Sequence, residues 1–355
     1  MAATAAYEAW MRRRIAVVAP DLKHKHEAMA ASAFEFMRAT FYRFVPLWQG
    51  ACPDLNEAPK LLAVGDLHVE NFGTWRDAEG RLAWGVNDFD EAYRMPYTID
   101  LVRLAASALL AIREDRLRIG ASEACAALLE GYGAMIGAEG GTGFVLEEKH
   151  PALRVMALGE ERDPLRFWQK LAANKEVKVP AAVRKMLRQA VPEVEGELRI
   201  LHRVAGLGSL GRPRYVAIGR AQGGMIAREA KAMLPSAFAW ANGIEEERFF
   251  CGRLAARAVR SCDPFYGTEK AWVLRRLAPH CTAIPLADFP KRRDERRILE
   301  AMGRETANVH WGTPDKIALI RRDLKRREDR WLRAAAATMA DATLQDWRAW
   351  RKARG

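Results

Sequence analysis

The sequence predicts an α+β protein of two lobes, on three observations. Its 355 residues exceed one small module and half of them are hydrophobic, so a sizeable core can be buried. Two short apolar runs, at 61–64 and 81–86, lead to the carboxylates Asp66 and Asp88 and are flanked by segments of helical period. From Arg203 onward the texture changes to Gly-rich, strand-like sequence.

Composition narrows the classes of function. A net charge of +12 suits phosphates, nucleic acid or anionic membrane without choosing among them. The five cysteines (Cys52, Cys125, Cys251, Cys262, Cys281) are odd in number and form no C-x-x-C pair. They argue against zinc and a secreted disulfide framework, and for a reducing cytoplasm. Arg12, Arg13 and Arg14 precede an apolar run that stops at Pro20, too short for a signal peptide. The longest apolar stretch, 104–112, falls far below a membrane span, so no membrane anchor is expected.

Taken in order, residues 22–44 carry Met29, Ala33, Phe36 and Met37 at helical spacing and predict an amphipathic helix, with a Pro- and Cys-containing loop over 46–59. The run 61–64 ends in Gly65 and reads as a buried strand that delivers Asp66 onto a loop, and 81–86 reads as the strand before Asp88. Thr98 caps a helix over 99–116, and 121–136 predicts another. An irregular Gly-rich stretch covers 137–160, with helices at 163–172 and 181–190. Residues 203–211, 215–218 and 225–227, with a turn at Gly223 and Gly224, predict a small antiparallel sheet. A helix is expected over 245–260, a strand at 272–274, and helices over 292–308 and 314–352, the last capped by Thr313 with Pro314 in its first turn.

Phosphoryl transfer needs a carboxylate beside the attacking group and oxygen ligands for magnesium. Asp66, Asn71 and Asp88 supply these from neighbouring segments in the order of the kinase template: Asp66 to accept or orient the acceptor proton, Asn71 and Asp88 to hold metal. Asp90 is a reserve metal ligand or part of a solvated turn. His68 is a substrate-side hydrogen bonder, a metal ligand or a donor that stabilises its loop. Asp100 reads as structural. Gly206, Gly208 and Gly211, with Ser209, precede strand-like sequence and so fit a Gly-rich hairpin over triphosphate rather than a dinucleotide fold, or else an ordinary turn. About twenty residues on, Arg228 and Lys231 are the candidate phosphate-binding cations, on opposite strand faces, with Glu229, Glu246 and Glu247 as ion-pair candidates. The basic segment 321–333 is interleaved with Asp323, Glu328 and Asp329, which favours an exposed helix face over nucleic-acid contact.

With those residues in view, the chain resembles the bacterial family known as domain of unknown function 2252, over 25–38, 65–73, 87–92, 100–107, 206–211, 228–230 and 263–265. The run Gly65-Asp66-Leu67-His68-Val69-Glu70-Asn71 is also similar to the G-D-x-H-x-x-N loop of aminoglycoside and choline phosphotransferases, with His68 at the His of that pattern. The resemblance implies a two-lobed protein kinase-like fold that uses ATP and Mg on a small-molecule acceptor. Here the catalytic loop precedes the Gly-rich loop, so the kinase-like order is circularly permuted. The expected division is an N-terminal helical segment (1–60), a catalytic region (61–199), a nucleotide-covering sheet (200–288) and C-terminal helices (289–355). The resemblance implies Lys where Arg228 stands. That departure makes a nucleotide-binding pseudokinase the main alternative, with a basic nucleic-acid-associated protein behind it.

Overall fold

The structure, a computed structural model, describes residues 1–159, 162–245, 247–288 and 294–354. Near the N-terminus Ser32 divides what the period suggested as one helix. Its Oγ accepts the Glu35 N–H at 3.2 Å, so Ala19–Ala31 ends and Ala33–Ala39 begins. The next helix, Phe41–Ala51, continues through Pro46 where a loop was expected. Burial of Phe44, Val45 and Trp48 outweighs the hydrogen bond that proline removes.

Ten strands form three antiparallel sheets among the described residues. β1 (Lys60–Ala63) pairs with β4 (Tyr93–Pro96), and β3 (Leu82–Val86) lies between β2 (Phe72–Arg76) and β5 (Phe144–Val145). The largest sheet joins β6 (Glu195–His202), β7 (Arg214–Ala221), β8 (Gly224–Ala232), β10 (Trp272–Leu277) and β9 (Gly267–Glu269) in that spatial order. Gln222 (φ 51°) and Gly223 (φ 78°) are both left-handed at the β7–β8 turn, which matches the strand twist.

The Thr98–Arg113 helix is buried from Thr98 to Ala111 and packs against Ala121–Gly137 and Trp331–Arg354. Around it one core runs from Tyr7 to Ala340 and unites both ends of the chain. Helices Pro164–Ala172 and Ala181–Ala190 pack instead on the five-stranded sheet. Leu171 meets Val216, Ile218 and Ala227 on one face, while Val183 and Leu187 meet Ala217 and Ala230 on the other.

Toward the C-terminus, the helix expected over 292–308 is Glu295–His310, and that expected over 245–260 is only Cys251–Arg257. The long helix expected from 314 is Ile317–Leu324 and Trp331–Arg354, after a 3₁₀ turn. Arg327 draws the chain aside between them, donating from Nε to Asp323 at 2.7 Å and to the Tyr97 hydroxyl at 3.2 Å. Thr313 stands at the N-cap of the 3₁₀ turn Pro314–Lys316, as expected, but its Oγ1 accepts the Leu62 N–H at 3.4 Å instead of a helix N–H. Glu246 lies outside the described residues. No helix among those described is long and apolar enough to cross a membrane.

Candidate functional site

Asp66 is placed by the buried helix beneath it. Asp100, on that helix, accepts the Val64 and Gly65 N–H groups at 2.8 Å each and holds His310 Nε2 at 3.0 Å, the structural role its position suggested. Gly65 has φ +82°, and a Cβ there would stand 2.8 Å from the Glu91 carbonyl oxygen, so the turn requires glycine. Arg103, three residues beyond Asp100, is fully buried and donates Nε and Nη2 to Asp66 Oδ1 at 2.9 and 2.5 Å. Its guanidinium lies over the Phe41 and Phe44 rings. Burial pushes the Asp66 carboxyl up and Arg103 pulls it down, with a net rise.

Asn71 joins the two motif segments. Its Nδ2 donates to the Asp66 and Asp88 carbonyls at 3.0 Å each, and its Oδ1 accepts the Asp88 N–H at 3.0 Å. Three of its four hydrogen-bonding positions are thus engaged, which leaves Oδ1 one lone pair. Lys231 Nζ sits 2.7 Å from both Asp88 Oδ2 and Asp90 Oδ2. Burial favours a neutral Asp88, but the Lys231 ammonium holds its carboxyl well below the usual range. Burial and the adjacent Asp88 charge push Asp90 up to about 6.

Asp66, Asn71, Asp88 and Asp90 line one cleft of about 540 Å³ with His68, Lys25, Gly206, Gly208 and Ser209. His68 Nδ1 accepts the Glu70 N–H at 3.2 Å, and burial with Arg38 and Arg103 nearby keeps the ring neutral, its pKa well below the ordinary value. Leu207–Ser209 is a compact 3₁₀ turn rather than an open hairpin tip. A Cβ on Gly208 would lie 3.2 Å from Asp66 Oδ2, so the Gly-rich loop reaches the Asp66 segment directly. Gly211 stands apart from the cleft, its carbonyl accepting the Val18 N–H.

Strand alternation decides between the two candidate cations. Glu229 and Lys231 point to the cleft face of β8, whereas Arg228 points away, its guanidinium 4.0 Å over the Phe265 ring. The structure therefore does not bring Arg228 together with Asp66 and Asp88. It adds groups that motif spacing missed: Arg103, Lys25, Arg203, Arg212, Arg214 and Arg275. Lys25 Nζ donates to the Gly208 carbonyl at 2.7 Å, and burial with Arg212 nearby lowers its ammonium to about 8. Arg212 Nη2 donates to Glu91 Oε1 at 2.9 Å. For Arg103 the signal was a charge inside an apolar helix, which a fold tolerates only with a partner.

Among the described residues no cluster of three His, Cys, Asp or Glu side chains forms a metal cage. Asp88 and Asp90 nonetheless converge on one cation position, now held by Lys231, and Asp90 Oδ1 is buried without a hydrogen-bond partner. Two carboxylates suit magnesium, which completes its shell with water and phosphate oxygens.

Residues 17–163 match the model of a family described as uncharacterized protein conserved in bacteria (DUF2252). The match supports the family resemblance over the stretch that carries Asp66, Asn71 and Asp88, and ends before β6. No curated protein and no solved structure matches the chain.

Proposed function

We propose that the cleft binds ATP with magnesium and transfers the γ-phosphoryl group to a small-molecule hydroxyl or amine, in a kinase-like fold of permuted order. What carries the reading is convergence. Asp66, Asn71 and Asp88 gather in one cleft with Gly206, Gly208 and Ser209, and Lys231 pairs with Asp88 from the strand behind, although the two sets lie far apart in sequence. Asp66 takes the acceptor's proton as that atom bonds to the γ-phosphorus and ADP leaves. Asn71 fixes the Asp66 and Asp88 backbones to each other, so neither carboxylate drifts during transfer. Asp88 and Asp90, with the remaining lone pair of Asn71 Oδ1, are the groups that would hold magnesium, with Lys231 released to phosphate oxygens. When bound, the metal neutralises charge on the transferring group.

A nucleotide-binding module without turnover is the second reading, and one observation favours it. Asp66 Oδ1 is tied to Arg103, and Gly208 packs near its Oδ2.

Thermal melting with ATP, with and without magnesium, tests both. The expected result is a magnesium-dependent rise in Tm that Asp88→Ala abolishes. No shift at millimolar ATP sinks the proposal. ADP formation then separates the two readings. Transfer predicts a loss of about 10²-fold or more in Asp66→Asn with binding retained. A binding module predicts no ADP formation from wild type.

A further inference from the structure

Glu229 is fully buried beneath the cleft wall, where three guanidinium groups surround it. Arg214 Nη1 donates to its Oε1 at 3.0 Å and Arg275 Nε to the same oxygen at 2.7 Å, while Arg203 Nη1 donates to Oε2. All three arginines line the cleft, and they come from β7, from β10 and from the residue just past β6. Arg214 is itself only 3% exposed and extends Nη2 to Ser209 Oγ at 2.6 Å, which ties the cluster to the Gly-rich loop.

One carboxylate cannot balance three guanidinium groups. The cluster therefore presents two unmatched positive charges to a half-enclosed space, where desolvated cations are costly unless an anion joins them. Asp88 and Asp90 lie within electrostatic reach of Arg275, and Lys231, which bridges both, balances one of the two carboxylates, so an excess of one positive charge remains for an anion to meet. Crowding shows in Arg203, whose pKa is lowered by burial and by Arg214 and Arg275. Guanidinium forks match phosphate oxygens in pairs, a geometry that a single ammonium lacks.

We propose that Arg203, Arg214 and Arg275, splayed by Glu229, form a phosphate-chain site on the inner face of the five-stranded sheet. The proposal rests on the nucleotide reading only for the nucleoside, since the cluster recognises the phosphates alone. Lys231 follows Glu229 by two residues on the same face of β8, so the site adjoins the Asp88 and Asp90 pair.

Calorimetric titration with inorganic tripolyphosphate tests it on the full chain. Wild type binds, and Arg203→Gln weakens binding at least tenfold while circular dichroism stays unchanged. That variant leaves Glu229 two partners, so folding is retained. Glu229→Gln removes the internal competitor and is expected to tighten binding about tenfold. Weaker binding in Glu229→Gln, wild-type affinity in Arg203→Gln, or no binding by wild type would each overturn the site, since a mere structural brace predicts them. ATP and adenosine separate the sources. Should tripolyphosphate bind and ATP bind no more tightly, the arginine site stands and the nucleotide reading falls. Should ATP bind with magnesium and Arg203→Gln leave its Kd unchanged, the reverse holds.

Discussion

Glu305 is a buried carboxyl that ties a titratable group to β3, the strand that leads to Asp88. Its Oε1 accepts the Val86 N–H at 3.1 Å, Asn308 Nδ2 donates to Oε2 at 3.2 Å, and Arg260 is the charged group nearby. Burial outweighs Arg260 and lifts the pKa from 4.5 to about 7. A folded-state pKa above the unfolded one means that stability linked to the protonated form is fully present below about pH 4.5. That stability is lost as pH rises through about 7, roughly 3 kcal/mol in all. Urea unfolding at pH 5, 6, 7 and 8 should show falling stability. Glu305→Gln should flatten most of the slope, with Asp90 supplying a smaller part of the same sign. An unchanged slope in the variant would remove Glu305 as its source. At this scale the sequence brought Asp66, Asn71 and Asp88 forward as candidates, because their order and spacing are local. Arg203, Arg214, Glu229 and Arg275 were not legible as a set, because only the pairing of β6, β7, β8 and β10 makes them neighbours.

Between elements, Ala121–Gly137 crosses Glu295–His310 with backbone close to backbone. A Cβ on Gly131 would lie 2.0 Å from the Glu300 carbonyl oxygen, and one on Gly303 would lie 2.0 Å from that of Leu128. Backbone faces backbone there, with no flexible side chain to give way. Gly131→Ala should lower stability by about 2–3 kcal/mol, the cost of overpacking a close contact. Two residues on, Gly133 has nothing within 4 Å of its would-be Cβ. Gly133→Ala should raise stability by about 0.5–1 kcal/mol through helix propensity. Chemical unfolding of the two variants reads both signs, and a like effect from both would mean that the helices do not touch as described. The periodicity of 121–136 foretold the first helix but not this crossing, whose partner lies far along the chain. β6 escaped notice because its first residues, Glu195, Gly196 and Glu197, read as a loop and are exposed, with burial starting at Leu198. The break between Ile317–Leu324 and Trp331–Arg354 escaped for a different reason: no Pro or Gly marks it, and Arg327 is drawn to Tyr97 by a tertiary contact.

Over the whole molecule, burial is divided unequally. One large core holds the Thr98–Arg113 helix, whereas the five-stranded sheet relies on two small clusters, one on each face. Opening free energies follow the apolar area that each unit buries, so the sheet should open before the helical core. Hydrogen exchange should report lower opening free energies for amides of β7 and β8 than for Thr98–Arg113. An anion on Arg203, Arg214 and Arg275 bridges strands of the weaker unit, and at a hundredfold excess over its Kd it should protect them by up to about 2.7 kcal/mol. The Thr98–Arg113 amides should gain as much where they exchange by global unfolding, since that opening also destroys the anion site. Equal opening free energies in both regions without ligand would mean that sheet and helices unfold as one unit. Tripolyphosphate that protects neither β7 nor β8 would mean that the anion binds away from the sheet. Protection spreading from the strands to the loop at 206–211 is the pattern expected of a ligand seated between Arg214 and Ser209, because that contact is how the strand cluster holds the loop over Asp66.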